Sequence, residues 1–335
     1  MNARATLPPV LDVADLTVRF RTPSGPLTAV DRLSFHVGAG ETLAIVGESG
    51  CGKSVTAMAL LRLLKSPPAE ISGTQVRFDG QDLLRLPERA MRDIRGNRIA
   101  MIFQDPLSAL NPVQSVGDQI IESLRRHAGL TGAAARRRAI ELLDLVRIPE
   151  PARRADDYPH RFSGGMRQRV MIAIAIAANP AVLIADEPTT ALDVTVQAQI
   201  LKLLVSLQRE FGMSLVLISH DLGVVAETAD RVLVMYAGRK VEERTVGDLF
   251  ARPLHPYTRA LMRARPTPGR LTDFLDEIPG IVPSLADLPP GCAFAPRCAF
   301  ADEACTRRPP ALEDVAGAGM VACIHAERLA HEEAA

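Results

Sequence analysis

Between Leu43 and Ser54 the chain reads LAIVGESGCGKS, and a stretch of this kind leaves a protein little choice of fold. Leu43, Ala44, Ile45 and Val46 make an apolar run that is long enough for a buried strand and too short for a helix with its own face. Gly47, Gly50, Gly52, Lys53 and Ser54 then fit the spacing G-x-x-x-x-G-K-[ST], and Val55 to Leu64 can follow as a helix. Glycines at those places let successive backbone N–H groups converge at the positive end of a helix dipole, which makes an anion nest. Glu48, Ser49 and Cys51 enter that nest through their backbone. Lys53 is placed to reach the terminal phosphates of a nucleotide, and the Ser54 hydroxyl to ligate Mg²⁺. A chance glycine-rich turn is the alternative, and the strand before it and the helix after it argue against that.

The 335 residues are enough to bury a full core and to add something smaller beside it. Lys plus Arg and Asp plus Glu number 39 each, a balance that argues against a dedicated nucleic-acid or anionic-lipid surface. The first residues lack the basic-then-apolar order of a secretory signal, so the chain is expected to stay in the cytosol. The longest apolar stretch, Val170 to Ala185, is broken by Asn179 and Pro180 and reads as a helix end followed by a strand, not a membrane span. Of five cysteines, one lies in the phosphate loop and four cluster late in the chain, which in a reducing compartment suggests metal ligation over disulfides.

Val10 to Val37 alternates in short apolar stretches around Pro23, Gly25 and Pro26 and predicts antiparallel strands. Phe20 in this stretch is either a core residue or a platform on which adenine stacks. Thr74 to Asp79 predicts another strand, and Ile99 to Phe103 a buried one that ends at Gln104. On position alone Gln104 reads as an ordinary strand-end glutamine, although an amide there can reach the γ-phosphate, its Mg²⁺ or the attacking water. Val116 to about Arg154 is helical in character, with Arg136, Arg137 and Arg138 on a solvated face. Ser163 then stands where a helix N-cap belongs, and Gly164 and Gly165 expose backbone N–H groups, a second anion site.

Val182 to Ala185 predicts a buried strand that delivers Asp186 and Glu187 to the carboxyl edge of a parallel sheet, beside the phosphate loop. Asp186 is suited to hold Mg²⁺ through water, and Glu187 to orient and deprotonate the attacking water. Ala198 to Arg209 predicts an amphipathic helix, and Ser214 to Ser219 a strand ending at His220. A histidine there is either structural or a contact to the γ-phosphate. Arg231 to Tyr236 and Arg239 to Val241 close the series as a strand pair around Ala237 and Gly238.

Taken in order, GESGCGKS, Gln104, FSGGMRQR, LIADEP, Ala191-Leu192-Asp193 and His220 resemble the nucleotide-binding subunit of ABC transporters, over roughly residues 10 to 250. The resemblance implies an α/β P-loop NTPase with an antiparallel β-subdomain, an inserted helical subdomain over about 105–175 and a Cys-rich C-terminal extension. The ATPase domain would span 8–260 and the extension 261–335. Gly47 to Ser54 would be the Walker A loop, Gln104 the Q-loop glutamine and a Mg²⁺ contact, and Asp186 and Glu187 the Walker B pair with Glu187 as base. Asp193 would be the D-loop aspartate, His220 the switch histidine, and Ser163 to Met166 the signature that closes over the nucleotide of a second subunit. Phe162 and Met166 depart from the common Leu and Gln of that signature. Met166 cannot donate a side-chain hydrogen bond, which puts the strength of the shared site in question.

LHPYTRAL from Leu254, IPGIVPSL from Ile278, GCAFAPRC from Gly291 and FQDPLSALNP from Phe103 are similar to the oligopeptide and dipeptide importer branch, whose close relatives serve nickel and glutathione. That resemblance implies two membrane permease subunits, a second and different ATPase subunit, an extracytoplasmic solute-binding protein, and a peripheral place on the cytoplasmic face of the inner membrane. A soluble ABC ATPase of DNA repair or translation would carry a long coiled-coil insertion or two cassettes, and neither is present. A non-hydrolysing subunit would lack Glu187. Cys292, Cys298, Cys305 and Cys323 are separated by five, six and seventeen residues, and four thiolates suit a 4Fe-4S cluster or a tetrahedral Zn²⁺. The wide spacing favours the cluster, which the peptide-importer branch also implies. The surrounding 266–335, rich in Pro and poor in apolar periodicity, would depend on such a centre for the core it lacks.

Overall fold

A computed structural model describes residues 8–190, 192–264, 277–315, 317 and 319–332, the side chains of 331 and 332 excepted. Ala191, the first residue of the expected D-loop triplet, and 265–276 at the start of the expected extension lie outside the described residues. The chain divides into two compact units. One gathers 1–11, 36–42 and 77–218, and the other 12–35, 43–76 and 219–335.

The first unit is built on parallel strands. Ile99–Ile102 pairs with Val182–Asp186 in the register Ile99↔Val182, and Val182–Asp186 pairs with Ser214–Ser219 in the register Val182↔Ser214. All three strands are buried throughout, which is why their sequences are continuous apolar runs with no alternation. Helices fill the segment expected to be helical: Val116–Ser123, a π-helical turn Leu124–Ala128, Gly132–Leu145 and Pro151–Arg154. The Arg136 guanidinium forks onto Asp156 at 2.9 and 2.8 Å on the exposed face. Gly164–Ile176 is buried on nearly all sides from Gln168 onward, so its sequence shows little amphipathic stripe. It breaks at Asn179, which adopts φ 52, before Pro180 leads into Val182–Asp186. Val194–Phe211 runs longer than the periodicity predicts, because Asp193 caps its start and Gly212 ends it in the left-handed conformation.

The second unit holds the phosphate loop. Leu11–Thr22 pairs antiparallel with Ala69–Ser72 from Thr17↔Ser72 to Phe20↔Ala69. Thr42–Val46 runs parallel to Arg231–Tyr236, Leu43 opposite Arg231 and Val46 opposite Val234. Arg231–Tyr236 then turns back into Arg239–Thr245 through Ala237 and Gly238, both at positive φ (46° and 81°), the conformation a tight hairpin turn demands. The helix Lys53–Leu60 stops short of the expected Leu64, since Arg62 turns left-handed at φ 51 and Pro67 and Pro68 follow.

Residues after 277 add little regular structure, yet they do not stand apart. Met320–Val321 pairs with Arg239–Thr245, and Glu313–Asp314 with Met320–Val321. Phe294 enters the core of this unit beside Tyr236 and Tyr257, with ring centroids 5.3 Å away in both cases. The stretch has a small apolar cluster, Val315, Val321 and Ala326 with Leu254, and through Phe294 it joins the larger core of this unit. Phe294→Ala is therefore expected to destabilise this unit by about 3–5 kcal/mol in denaturant unfolding. A loss below about 1 kcal/mol would mean that the extension does not complete that core.

Candidate functional site

Thr42–Val46 is wholly buried and delivers the chain into a turn that only glycine can make. Gly47 sits at φ 153, where a Cβ would stand 2.2 Å from the Met235 carbonyl oxygen and 2.8 Å from the Cys51 sulfur. Gly52, at φ 100, would meet the Ala29 carbonyl oxygen at 2.6 Å, and from it the helix Lys53–Leu60 begins. The buried Lys53 ammonium donates to the carbonyl oxygens of Gly47 at 2.7 Å and Glu48 at 3.0 Å. Ser54 is half-buried, and Ser49 and Gly50 are exposed at the tip of the loop. Burial pushes the Cys51 thiol up despite nearby Lys53, and the Cys51 carbonyl accepts the Gly238 N–H at 3.1 Å. Phe20 is half-buried at the end of its antiparallel pairing with Ala69. His220 is exposed directly after Ser214–Ser219, and Asp221 caps the next helix, Leu222–Thr228.

In the first unit the strand Val182–Asp186 ends on Asp186, which is 4% exposed, and the chain then enters Glu187 at φ 44. Positive φ in a glutamate is uncommon and costs energy that its surroundings must offset. They do so through hydrogen bonds: Glu187 N–H donates to the Ile218 carbonyl at 3.0 Å, and its carboxylate accepts from Gln104 Nε2 and from Thr190 Oγ1, each at 3.0 Å. Gln104 and Glu187, 83 residues apart in sequence, thus meet. Thr190 is a partner that sequence reasoning missed. Its only signal was a hydroxyl three residues beyond a glutamate, where a turn brings the Thr190 N–H back to the Glu187 carbonyl at 3.2 Å.

Ser163 caps Gly164–Ile176, its hydroxyl accepting from Met166 N–H at 3.4 Å, while Ser163 and Gly164 are exposed at the helix start. A Cβ on Gly165 would lie 2.7 Å from Val196 Cγ1, so that glycine lets the helix pack against Val194–Phe211. Phe162 is buried with the Arg154 guanidinium 5.8 Å over its ring and serves as an anchor below the cap. Asp193 is exposed and accepts from Val196 N–H at 2.9 Å.

Cys292, Cys298, Cys305 and Cys323 line one small cavity together with His325, and none is in a disulfide. Burial raises the thiols of Cys292 and Cys298, and pushes Cys323 up to about 11, with neighbouring cysteine sulfurs adding to each shift. Sulfur and imidazole atoms lining one cavity are donor types that suit a soft metal, although among the described residues only a subset of these donors approaches to ligand distance. His325, 3.7 Å from Cys305 Sγ and 3.1 Å from Asp302 Oδ2, is a further donor that cysteine spacing could not reveal. The ligand atoms of Asp302, Cys305 and His325 lie within 4.8 Å of one another.

The family model described as ABC transporter matches residues 30–190, and the one described as oligopeptide/dipeptide transporter, C-terminal region, matches 241–305. The chain is 54% identical over 323 residues to a probable peptide ABC transporter ATP-binding protein of Sinorhizobium fredii, covering 96% of each. It is 51% identical to the dipeptide transport ATP-binding protein of Haemophilus influenzae, covering 94% of each. A solved ATP-binding cassette, dimeric in a post-hydrolysis state with ADP and Pi, is similar at TM-score 0.63 and 28% identity over 70% of this chain and 98% of that one.

Thr190→Val keeps the side-chain volume and removes the hydroxyl that donates to Glu187. It is expected to lower nucleotide turnover about tenfold or more with nucleotide Kd within about twofold of wild type, whereas Thr190→Ser retains turnover. Equal turnover in the Val and Ser variants would remove Thr190 from the site.

Proposed function

The chain belongs to the ATP-binding subunits of peptide-type ABC transporters, and from that premise we propose how its residues hydrolyse ATP to ADP and phosphate to energise the import of oligopeptides or dipeptides. The observation that carries the hydrolytic part is the Glu187 carboxylate, held at positive φ by two hydrogen-bond donors after a buried strand that ends on an aspartate. The peptide branch rests on the match of residues 241–305 to the C-terminal region of oligopeptide and dipeptide transporters.

In this reading the backbone N–H groups of Gly47 to Ser54, other than that of Glu48, which the Tyr257 hydroxyl takes, bind the phosphates, and Lys53 reaches the terminal phosphate oxygens from its place on the loop carbonyls. Phe20 stacks on the adenine. Ser54, Gln104 and Asp186 would hold Mg²⁺, which supplies charge neutralisation at the transferred phosphoryl group. Glu187 accepts the proton of the attacking water, Gln104 and Thr190 orient its carboxylate, and His220 contacts the γ-phosphate. Ser163, Gly164 and Gly165 offer an exposed helix start to the nucleotide of a second ATPase subunit, with Asp193 at the same interface. The domain limits proposed are 8–260 for the ATPase, its helical part over about 105–175, and 261–335 for the extension.

Among the described residues no helix is long and apolar enough to cross a membrane. On the peptide-transporter match, the proposed assembly docks two such ATPase subunits, of different sequence, on two permease subunits at the cytoplasmic face of the inner membrane, with an extracytoplasmic solute-binding protein delivering the peptide. Cys292, Cys298, Cys305 and Cys323 would hold a 4Fe-4S cluster, with Zn²⁺ as the alternative, and the centre would supply structural cross-linking of a stretch with little regular structure.

Glu187→Gln is expected to keep ATP binding and lose turnover by about a hundredfold or more, accumulating an ATP-dependent dimer in size-exclusion chromatography. Unchanged turnover would sink the role given to Glu187. For the metal centre, anaerobically purified protein is expected to show broad visible absorption and about four irons per chain, both lost in Cys298→Ser. Zinc in place of iron would replace the cluster by a tetrahedral site, and neither metal would remove the centre.

A further inference from the structure

All three polar groups of Glu48, in the phosphate loop, have partners in the second unit. Its N–H donates to the Tyr257 hydroxyl at 2.8 Å, its carbonyl accepts from the Lys53 ammonium at 3.0 Å, and its carboxylate receives the Arg297 guanidinium. That last contact is a two-point fork, Nη1 to Oε2 at 2.8 Å and Nη2 to Oε1 at 3.0 Å. The Arg297 side chain is 4% exposed and that of Glu48 25%, so the pair is not the solvent-screened kind that contributes little. The remaining guanidinium edge is also occupied: Nε donates to the Pro279 carbonyl at 2.9 Å, and the cation lies about 6 Å from the Tyr236 and Phe294 ring centroids.

Arg297 is placed by the cysteines on either side of it. It ends the helical turn Ala295–Arg297, which hangs from Cys292 through the Ala295 N–H to Cys292 carbonyl bond at 3.0 Å. The turn closes on the other side with the Cys298 N–H donating to the Ala295 carbonyl at 3.2 Å. A displacement of either cysteine moves the guanidinium. Charge gives the contact a consequence for nucleotide: a carboxylate in a loop built for polyphosphate repels it unless a cation neutralises it.

We propose that Arg297 is a positioning residue of the nucleotide site, which neutralises Glu48 and fixes the carbonyl that anchors Lys53, so that nucleotide affinity depends on the cysteine-bearing turn. The inference rests on the reading of Gly47 to Ser54 as the nucleotide loop. In Arg297→Gln the carboxylate of Glu48 is left unpaired, and Kd for Mg-ATP, measured by equilibrium binding on the full chain, is expected to rise about tenfold or more. The double variant Glu48→Gln with Arg297→Gln removes the unpaired charge and is expected to bind within about threefold of Glu48→Gln alone. A merely structural role for Arg297 would not be rescued in this way. Arg297→Lys, which keeps the charge and loses the fork, is expected to fall between wild type and Arg297→Gln, and it serves as the test if the Gln variant fails to fold. Cys298→Ser is expected to raise Kd in the same direction as Arg297→Gln.

A wild-type Kd in folded Arg297→Gln or, failing that variant, in Arg297→Lys overturns the proposal, as does a double variant as weak as Arg297→Gln. A wild-type Kd in Cys298→Ser overturns its dependence on the turn. Lys53→Ala measured alongside separates the two levels. If it binds Mg-ATP as wild type does, the nucleotide-loop reading itself fails; if it loses binding while Arg297→Gln does not, only the role of Arg297 fails.

Discussion

The phosphate loop exists because three backbones pass closer than side chains would permit. Gly47 lies under the Met235 carbonyl, and Gly52 and Gly238 both lie against the Ala29 carbonyl, at distances that a Cβ would reduce to between 2.2 and 2.8 Å. Hydrogen bonds lock this crossing: Gly238 N–H donates to the Cys51 carbonyl at 3.1 Å, and Asp31 N–H to the Gly238 carbonyl at 2.9 Å. The loop is thus gripped by the hairpin of Arg231–Tyr236 and Arg239–Thr245 and by the strand Gly25–Val37. Its curvature is set by these backbone contacts of the chain itself, the geometry on which an anion nest is built.

The residues that follow the parallel strands obey a different constraint. Three parallel buried strands carry Gln104, Glu187 and His220 in the positions immediately after their last residues or one beyond. Within the first unit the strained conformation of Glu187 aims its carboxylate at two donors contributed by different turns. Both contacts are single hydrogen bonds on a half-buried group, so they orient the carboxylate without enclosing it.

The residues beyond 277 change the meaning of the second unit. An extension with so little regular structure would not hold together by periodic packing, and it is instead fastened at three kinds of place. Two short strands extend the sheet, Phe294 completes an aromatic cluster, and Arg297 reaches the phosphate loop itself. Four cysteines line one small cavity together with Ala295, the first residue of the turn that ends on that arginine. Structural support and a contact to the phosphate loop therefore share one short segment of chain.

What the sequence determined by itself was whatever depends on local spacing: the glycine pattern of the loop, the apolar runs of the parallel strands, the serine cap at Ser163, and the four cysteines. The order of these motifs also sufficed to show resemblance to ABC transporter ATPases. Tertiary structure alone decided the partners that lie far apart in the chain, since no local pattern encodes them. Glu187 with Gln104 spans 83 residues, and Glu48 with Arg297 spans 249. Tyr257 looked like part of a branch motif and proves to accept the Glu48 N–H. His325 carried no metal-binding spacing and stands beside Cys305. Periodicity reports which face of an element is buried, whereas hydrogen bonds between turns depend on where the sheets bring those turns, and only the folded chain supplies that.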